Sequence, residues 1–191
     1  MRYLIITAQD DYDNDVVDAV YLEFFDGINS KAVAEALVMN TAEEDDGSLK
    51  WVLADDITGN GVCDKVDGDL ARSLSRRFLA FKWWKTDRPF NRYLEIYAED
   101  LDFDGRPDLV RLRFHEGDGA PTEETVVKAA ACMFLNDAAG RVVTLNEHLN
   151  GDSNVDAQGS TLMADLCRDF LKCEWSDVSA GRCRSYLDNQ S

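Results

Sequence analysis

Apolar and polar residues alternate through "RYLIITA" (residues 2–8) and "VYLEFF" (20–25), and again through "RYLEIYA" (92–98) and "VRLRFH" (110–115). A period of two sends successive side chains to opposite faces, so each stretch predicts a strand with one buried and one wet face. A different rhythm follows in "DLARSLSRRFLAF" (69–81), where Leu70, Leu74 and Phe78 recur every fourth residue, and in "TLMADLCRDFLKC" (161–173), where Leu162, Leu166 and Phe170 do the same. That spacing lines one face of a helix; the first helix is expected over 68–83, with Asp69 or Ser160 in reach as caps.

The two halves of the pattern match each other. Residues 2–27 laid over 92–117 are identical at 11 of 26 positions. Leu4, Ile6 and Ala8 recur as Leu94, Ile96 and Ala98, while the intervening Ile5 and Thr7 become Glu95 and Tyr97. Residues 56–83 match 148–175 in the same way, sharing Gly59/Gly151, Asp64/Asp156, Leu74/Leu166, Phe78/Phe170 and Trp83/Trp175. The expected organisation is two tandem copies of a unit of about 90 residues, too long for a solenoid repeat: unit 1 at 1–83, a linker at 84–91, and unit 2 at 92–191 with a cysteine-containing tail. The middle of each unit is ambiguous. "SKAVAEALVMN" and "EETVVKAAACMFLN" are alanine-rich, which favours helix, whereas "FLNDAAGRVVTL" reads as strand, turn and strand. The pattern leans to a hairpin and leaves 31–40 and 123–136 open between the two states. Either way the fold class is α+β: a mostly antiparallel sheet with acidic hairpin loops and at least one packed helix per unit.

Charge sharpens this picture. Against 20 basic residues stand 37 acidic ones, a net charge of −17. Nucleic acid and anionic membranes both need a positive footprint, so neither is an expected partner; cations or a basic protein fit better. With 45% hydrophobic content the 191-residue chain can bury a real core. No apolar run reaches the ~20 residues of a membrane span, and "MRYLIITAQD" has too short an apolar centre for a signal peptide, which leaves open whether a leader was removed.

The acid is concentrated in loops. In "DLDFDGRPD" (100–108), carboxylates stand at alternate positions ahead of a glycine. Calcium takes six to eight hard oxygen ligands at about 2.3–2.6 Å, and a loop of this form supplies them. Asp100, Asp102 and Asp104 take ligand positions 1, 3 and 5, Gly105 the turn, Arg106 contributes its backbone carbonyl, and Asp108 takes position 9. The stretch resembles the DxDxDGxxD loops of FG-GAP and VCBS-type repeats and, more loosely, of EF-hands and dockerins. A strand follows it, and the bidentate Glu of an EF-hand has no counterpart, so the hairpin form of the motif is the closer likeness. A second loop, "DITGNGVCDKVD", offers Asp56, Thr58, Asn60, the Val62 carbonyl and Asp64, with Asp67 at position 12. It resembles an EF-hand loop with a short final carboxylate.

The duplication supplies each loop with a counterpart. Asp10, Asn14 and Asp18 align with Asp100, Asp104 and Asp108, but Tyr12 and Asp15 replace a ligand and the turn glycine. His148, Asn150, Asp152 and Asp156 align with the Asp56 loop. By ligand count the Asp100 and Asp56 loops are expected to bind calcium tightly and their counterparts weakly. Ordinary solvated turns are the plainer alternative, since Asp, Asn and Gly are turn formers.

Catalytic signatures are missing from the sequence. His115 and His148 show no HExxH spacing, and no GxSxG, P-loop or GxGxxG occurs. Five cysteines without a CxxC pair give no thiolate zinc site; three cluster near the end, where Cys183 pairing with Cys173 or Cys167 suits an oxidising compartment, with reduced thiols as the alternative. Trp83 and Trp175 sit at matching helix ends and read as core, whereas Trp84 has no counterpart and reads as surface. The expected protein is therefore a non-catalytic, calcium-binding, secreted or periplasmic structural or interaction protein. The other reading is an acidic inhibitor or immunity-type protein that blocks a basic partner.

Overall fold

The computed structural model describes residues 2–11, 13, 15–27, 31–39, 50–81, 89–117, 126–135, 141–147, 157–175 and 185–187. The alternating stretches form strands, and the ambiguous middle segments do too. In order they are β1 (Tyr3–Gln9), β2 (Ala19–Phe25), β3 (Ala34–Met39), β4 (Trp51–Ala54), helix α1 (Lys65–Ala80), β5 (Arg92–Glu99), β6 (Leu109–Glu116), β7 (Val126–Phe134), β8 (Val142–Glu147), helix α2 (Ala157–Phe170) and a short β9 (Ser185–Leu187). The fold is α+β. Strands β1 to β8 make one antiparallel sheet, extended at an edge by β9, in the order β8-β7-β6-β5-β1-β2-β3-β4-β9.

The centre of this sheet is the pairing of β1 with β5, whose register runs Tyr3↔Tyr97, Ile5↔Glu95 and Thr7↔Tyr93. Four strands and then a helix thus occur on either side of the centre. Because neighbouring strands alternate in direction from β1 to β4, and β5 opposes β1, strands β4 and β5 run the same way. The β4–α1 loop and the β5–β6 hairpin therefore share one end of the sheet, and the β1–β2 hairpin lies at the other.

The even-numbered residues of the central strands face the helices. Leu4, Ile6, Leu22, Phe24, Leu94, Ile96 and Leu112 are fully buried there against Leu74, Phe78, Leu166 and Phe170 in one cluster spanning both halves. Burial of each such side chain stabilises by about 1.5–3 kcal/mol, which makes this layer the main source of stability. Trp175 closes the cluster as core, at 4.9 Å from Phe24 between ring centroids, and its indole N–H donates to the Phe25 carbonyl. Trp83 and Trp84 lie outside the described residues.

Helix α1 begins at Lys65 and not at 68. Its N-cap is Asp64, whose side chain accepts from the Val66 N–H at 2.7 Å, while Asp67 accepts from the Asp64 N–H at 2.9 Å. This reciprocal box satisfies the orphan donors a turn before Asp69 can. Asp69 instead sits inside the helix and pairs with Lys65 and Arg72. Ser160 likewise falls inside α2. The helices meet through a polar seam: Asp169 accepts from Ser73 at 2.6 Å and from Arg77 at 2.7 Å, and Arg77 also reaches Asp165 at 3.0 Å.

On the other face of the sheet no helix packs, among the described residues. The β5–β6 part of it pairs Arg111 with Glu99 at 2.9 Å and Arg113 with Glu95 at 3.9 Å, and His115 shares a hydrogen bond with Glu95 at 3.2 Å. The β2–β3 part differs, because Glu23 stands directly across from Glu35.

Candidate metal centre

The loop between β5 and β6 is held by its own acids. The Asp108 N–H donates to the Glu99 carbonyl at 3.0 Å, closing the hairpin, and the side chains then fold inward. Asp100 accepts from Gly105 N–H at 2.8 Å and from Asp104 N–H at 3.2 Å. Asp102 accepts from Asp104 N–H at 3.1 Å, Asp104 from Arg106 N–H at 2.8 Å, and Asp108 from Leu101 N–H at 2.7 Å. These bonds offset part of the repulsion among four carboxylates and fix their directions. One oxygen each from Asp100, Asp102 and Asp108 lies within 4.8 Å of the others. Two oxygens on one calcium at about 2.4 Å are at most about 4.8 Å apart, so the trio can share an ion. Asp104 is outside this tight group.

The loop between β4 and α1 has the same backbone. Asp56 accepts from Gly61 N–H at 2.7 Å and from Asn60 N–H at 3.1 Å, and Asn60 Oδ1 accepts from Val62 N–H at 2.9 Å. These match the bonds to Asp100 and Asp104 position for position. Residues four and six of both loops are left-handed: Gly59 and Gly61 at φ +68° and +87°, Phe103 and Gly105 at +61° and +88°. The β1–β2 loop repeats the turn without any glycine. There Asp13 and Asp15 take φ +54° and +62°, and Asp15 N–H donates to Asp10 at 2.7 Å. Loss of the glycine does not break this loop, because aspartate tolerates the left-handed region better than most residues.

The Asp56 loop departs from its expected ligand set at Thr58 and Asp67. Asp67 is fully buried and accepts four hydrogen bonds, from Ile57 N–H, Thr58 N–H, Thr58 Oγ1 and Asp64 N–H. As the third residue of the helix, with a side chain one methylene shorter than glutamate, it turns back to the helix start and clamps the loop. Three of these bonds end on Oδ1 and one on Oδ2, and Thr58 donates into the group where a ligand was expected of it. Asp56, Asn60 and Asp64 remain, drawn together by an Asn60 Nδ2 to Asp64 contact at 3.4 Å. Sequence spacing has no signal for which oxygens are already occupied. The His148 loop lies outside the described residues, as does Cys183 with its expected bridge. Of that bridge's two candidate partners, Cys167 shares a thiol hydrogen bond with Cys132, and Cys173 donates to the Asp169 carbonyl at 3.7 Å. Burial pushes both thiols up, which keeps them protonated.

No protein-family model, curated protein or solved structure matches this chain.

Proposed function

We propose that the protein is a calcium-binding, non-catalytic protein of an extracytoplasmic compartment, in which bound ions stiffen the loops that cap the sheet. The single observation that carries this reading is the convergence of Asp100, Asp102 and Asp108 within 4.8 Å on a hairpin loop. The matching backbone of the Asp56 loop, at the same end of the sheet, supports it. Calcium is favoured over magnesium because flexible, all-carboxylate loops suit its larger shell, and millimolar calcium outside cells fills even weak sites.

The duplication belongs to the same reading. The β1–β5 register maps onto itself when the halves are exchanged at an offset of 90, with Ile5↔Glu95 at its centre. The helix seam does so at an offset of 92, since the Ser73–Asp169 contact becomes Asp165–Arg77. Contacts that exchange in this way are those of a two-fold dimer. The chain is accordingly a fused pair, each half a meander plus a helix.

Thermal melts in EGTA and in millimolar calcium test the central claim. A ligand that binds only the folded state at a hundredfold excess over Kd stabilises it by about 2.7 kcal/mol. Calcium should raise the melting temperature, and Asp102→Asn, which keeps the side chain's shape, should remove most of the gain. Superimposable melts with and without calcium would refute the reading.

A further inference from the structure

We propose that Cys132 on β7 and Cys167 on α2 are the two ends of a core disulfide, made by exchange with a small-molecule disulfide. Cys132 pairs with Val110 in the ladder and shares the helix-facing side of β7 with Ala130. Cys167 lies between Met163 and Phe170 on the face of α2 that meets the sheet. Both side chains are fully buried, and a thiol hydrogen bond joins them across the two layers. Both are reduced in this structure. The site goes beyond calcium binding and does not depend on it.

The first half shows that packing alone does not call for sulfur here. Val20 matches Val110 at an offset of 90, and its partner on β3 is Val38, which therefore stands where Cys132 stands in the second half. Ser75 matches Cys167 at the offset of 92. Both are fully buried, and the Ser75 hydroxyl donates within its own helix to the Ala71 carbonyl at 2.9 Å. Corresponding places are thus filled once by valine and serine and once by two cysteines, and only the second pair can close a covalent bond between sheet and helix. The Cys167 S–H donates to Cys132 and, against burial and with the Arg168 charge, holds the Cys132 thiol below the ordinary cysteine value. Cys132 loses its proton first and attacks one sulfur of the reagent, releasing one thiolate; Cys167 then loses its own and attacks the Cys132 sulfur, releasing the other. The reagent is reduced to two thiols, which take up the two protons, as the protein gains one disulfide. A mixed disulfide needs room that the closed core lacks, so this exchange takes place before α2 has seated on β7 or when it lifts.

The test is refolding of the full chain in oxidised and reduced glutathione with EGTA present, followed by alkylation and tryptic digestion without reduction. Cleavage after Lys128, Arg141 and Arg168 separates the two cysteines, so the bridge should be recovered as residues 129–141 joined to 142–168. Closing the chain between them should raise the melting temperature of the oxidised protein above that of the reduced one by roughly 5–15 °C. The Cys132→Val/Cys167→Ser variant copies the first half's residues, so it should fold and should melt alike under both conditions. Cys183→Ser should keep the whole rise. Alkylation of all five cysteines, or Cys167 joined to Cys183 or Cys173, overturns the proposal. So does a rise that survives in the Cys132→Val/Cys167→Ser variant or vanishes in Cys183→Ser. With EGTA throughout, the result is separate from that of the calcium melts.

Discussion

Single residues decide the shape of the acidic loops, and glycines hold the tightest places. Gly105 and Gly61 are left-handed with open space where a Cβ would go, so alanine at either meets only backbone strain, about 1–2 kcal/mol. Gly59 carries the same strain, but its Cβ would lie 2.3 Å from the carbonyl oxygen of Glu174. That carbonyl belongs to the turn whose Glu174 N–H donates to Ile57, so neither partner can retreat without breaking the contact. Gly59→Ala should therefore cost at least about 1 kcal/mol more than Gly61→Ala in urea melts, as overpacking does; equal costs would mean the loop does not rest on that turn. At this scale the convergence of Asp100, Asp102 and Asp108 could be read from the sequence, where carboxylates alternate ahead of a glycine. The role of Asp67 could not. Spacing put it at a ligand position, and only the fold reveals that Thr58 and the start of α1 donate into it.

At the level of elements, periodicity located the strands and helices whose two faces differ. It only leaned to strand in β3 and β7, where Ala34, Ala36, Ala130 and Ala131 are buried and give little contrast of size between faces. Alanine reads as helix former in isolation, yet under a packed helix its small side chain also suits a strand. The joint between α1 and α2 rests on Asp169, which is buried and accepts from Lys172, Ser73 and Arg77. Burial by itself raises that carboxyl, but these hydrogen bonds and the Arg77 charge outweigh it and hold the group below the ordinary aspartate value. A depressed acid stabilises the fold above its unfolded value near 3.8 and loses that contribution as pH falls through the folded one. Asp169→Asn should cost about 1.5–3 kcal/mol at neutral pH, since Ser73, Lys172 and Arg77 lose a charged acceptor and Arg77 keeps only Asp165. The gap between parent and variant melting temperatures should then narrow below about pH 4. A gap that stays constant from pH 7 to pH 3 would place the cost in packing and not in charge.

For the molecule as a whole, residues 2–27 match 92–117 in sequence, with no sign there of how the two stretches meet. The β1–β5 ladder joins residues about 90 apart with no local signature, and it merges both cores into one cluster. One cluster should melt as one unit. Calorimetry is expected to give a single transition with calorimetric and van't Hoff enthalpies equal; two resolved transitions would show the halves to be thermally independent. The same ladder has a consequence during synthesis. β1 is made before its partner β5, which follows some 90 residues later, on the order of 5–20 s at about 5–20 residues per second. Throughout that interval the nascent first half carries an unpaired Tyr3–Gln9 edge of sequence YLIITAQ, free of charge and proline. Such an edge is a template for pairing with other chains. Translation speed between residues 9 and 99, and any chaperone that shields the edge meanwhile, should therefore govern how much of this protein reaches its native sheet and how much is lost to self-association on crowded ribosomes.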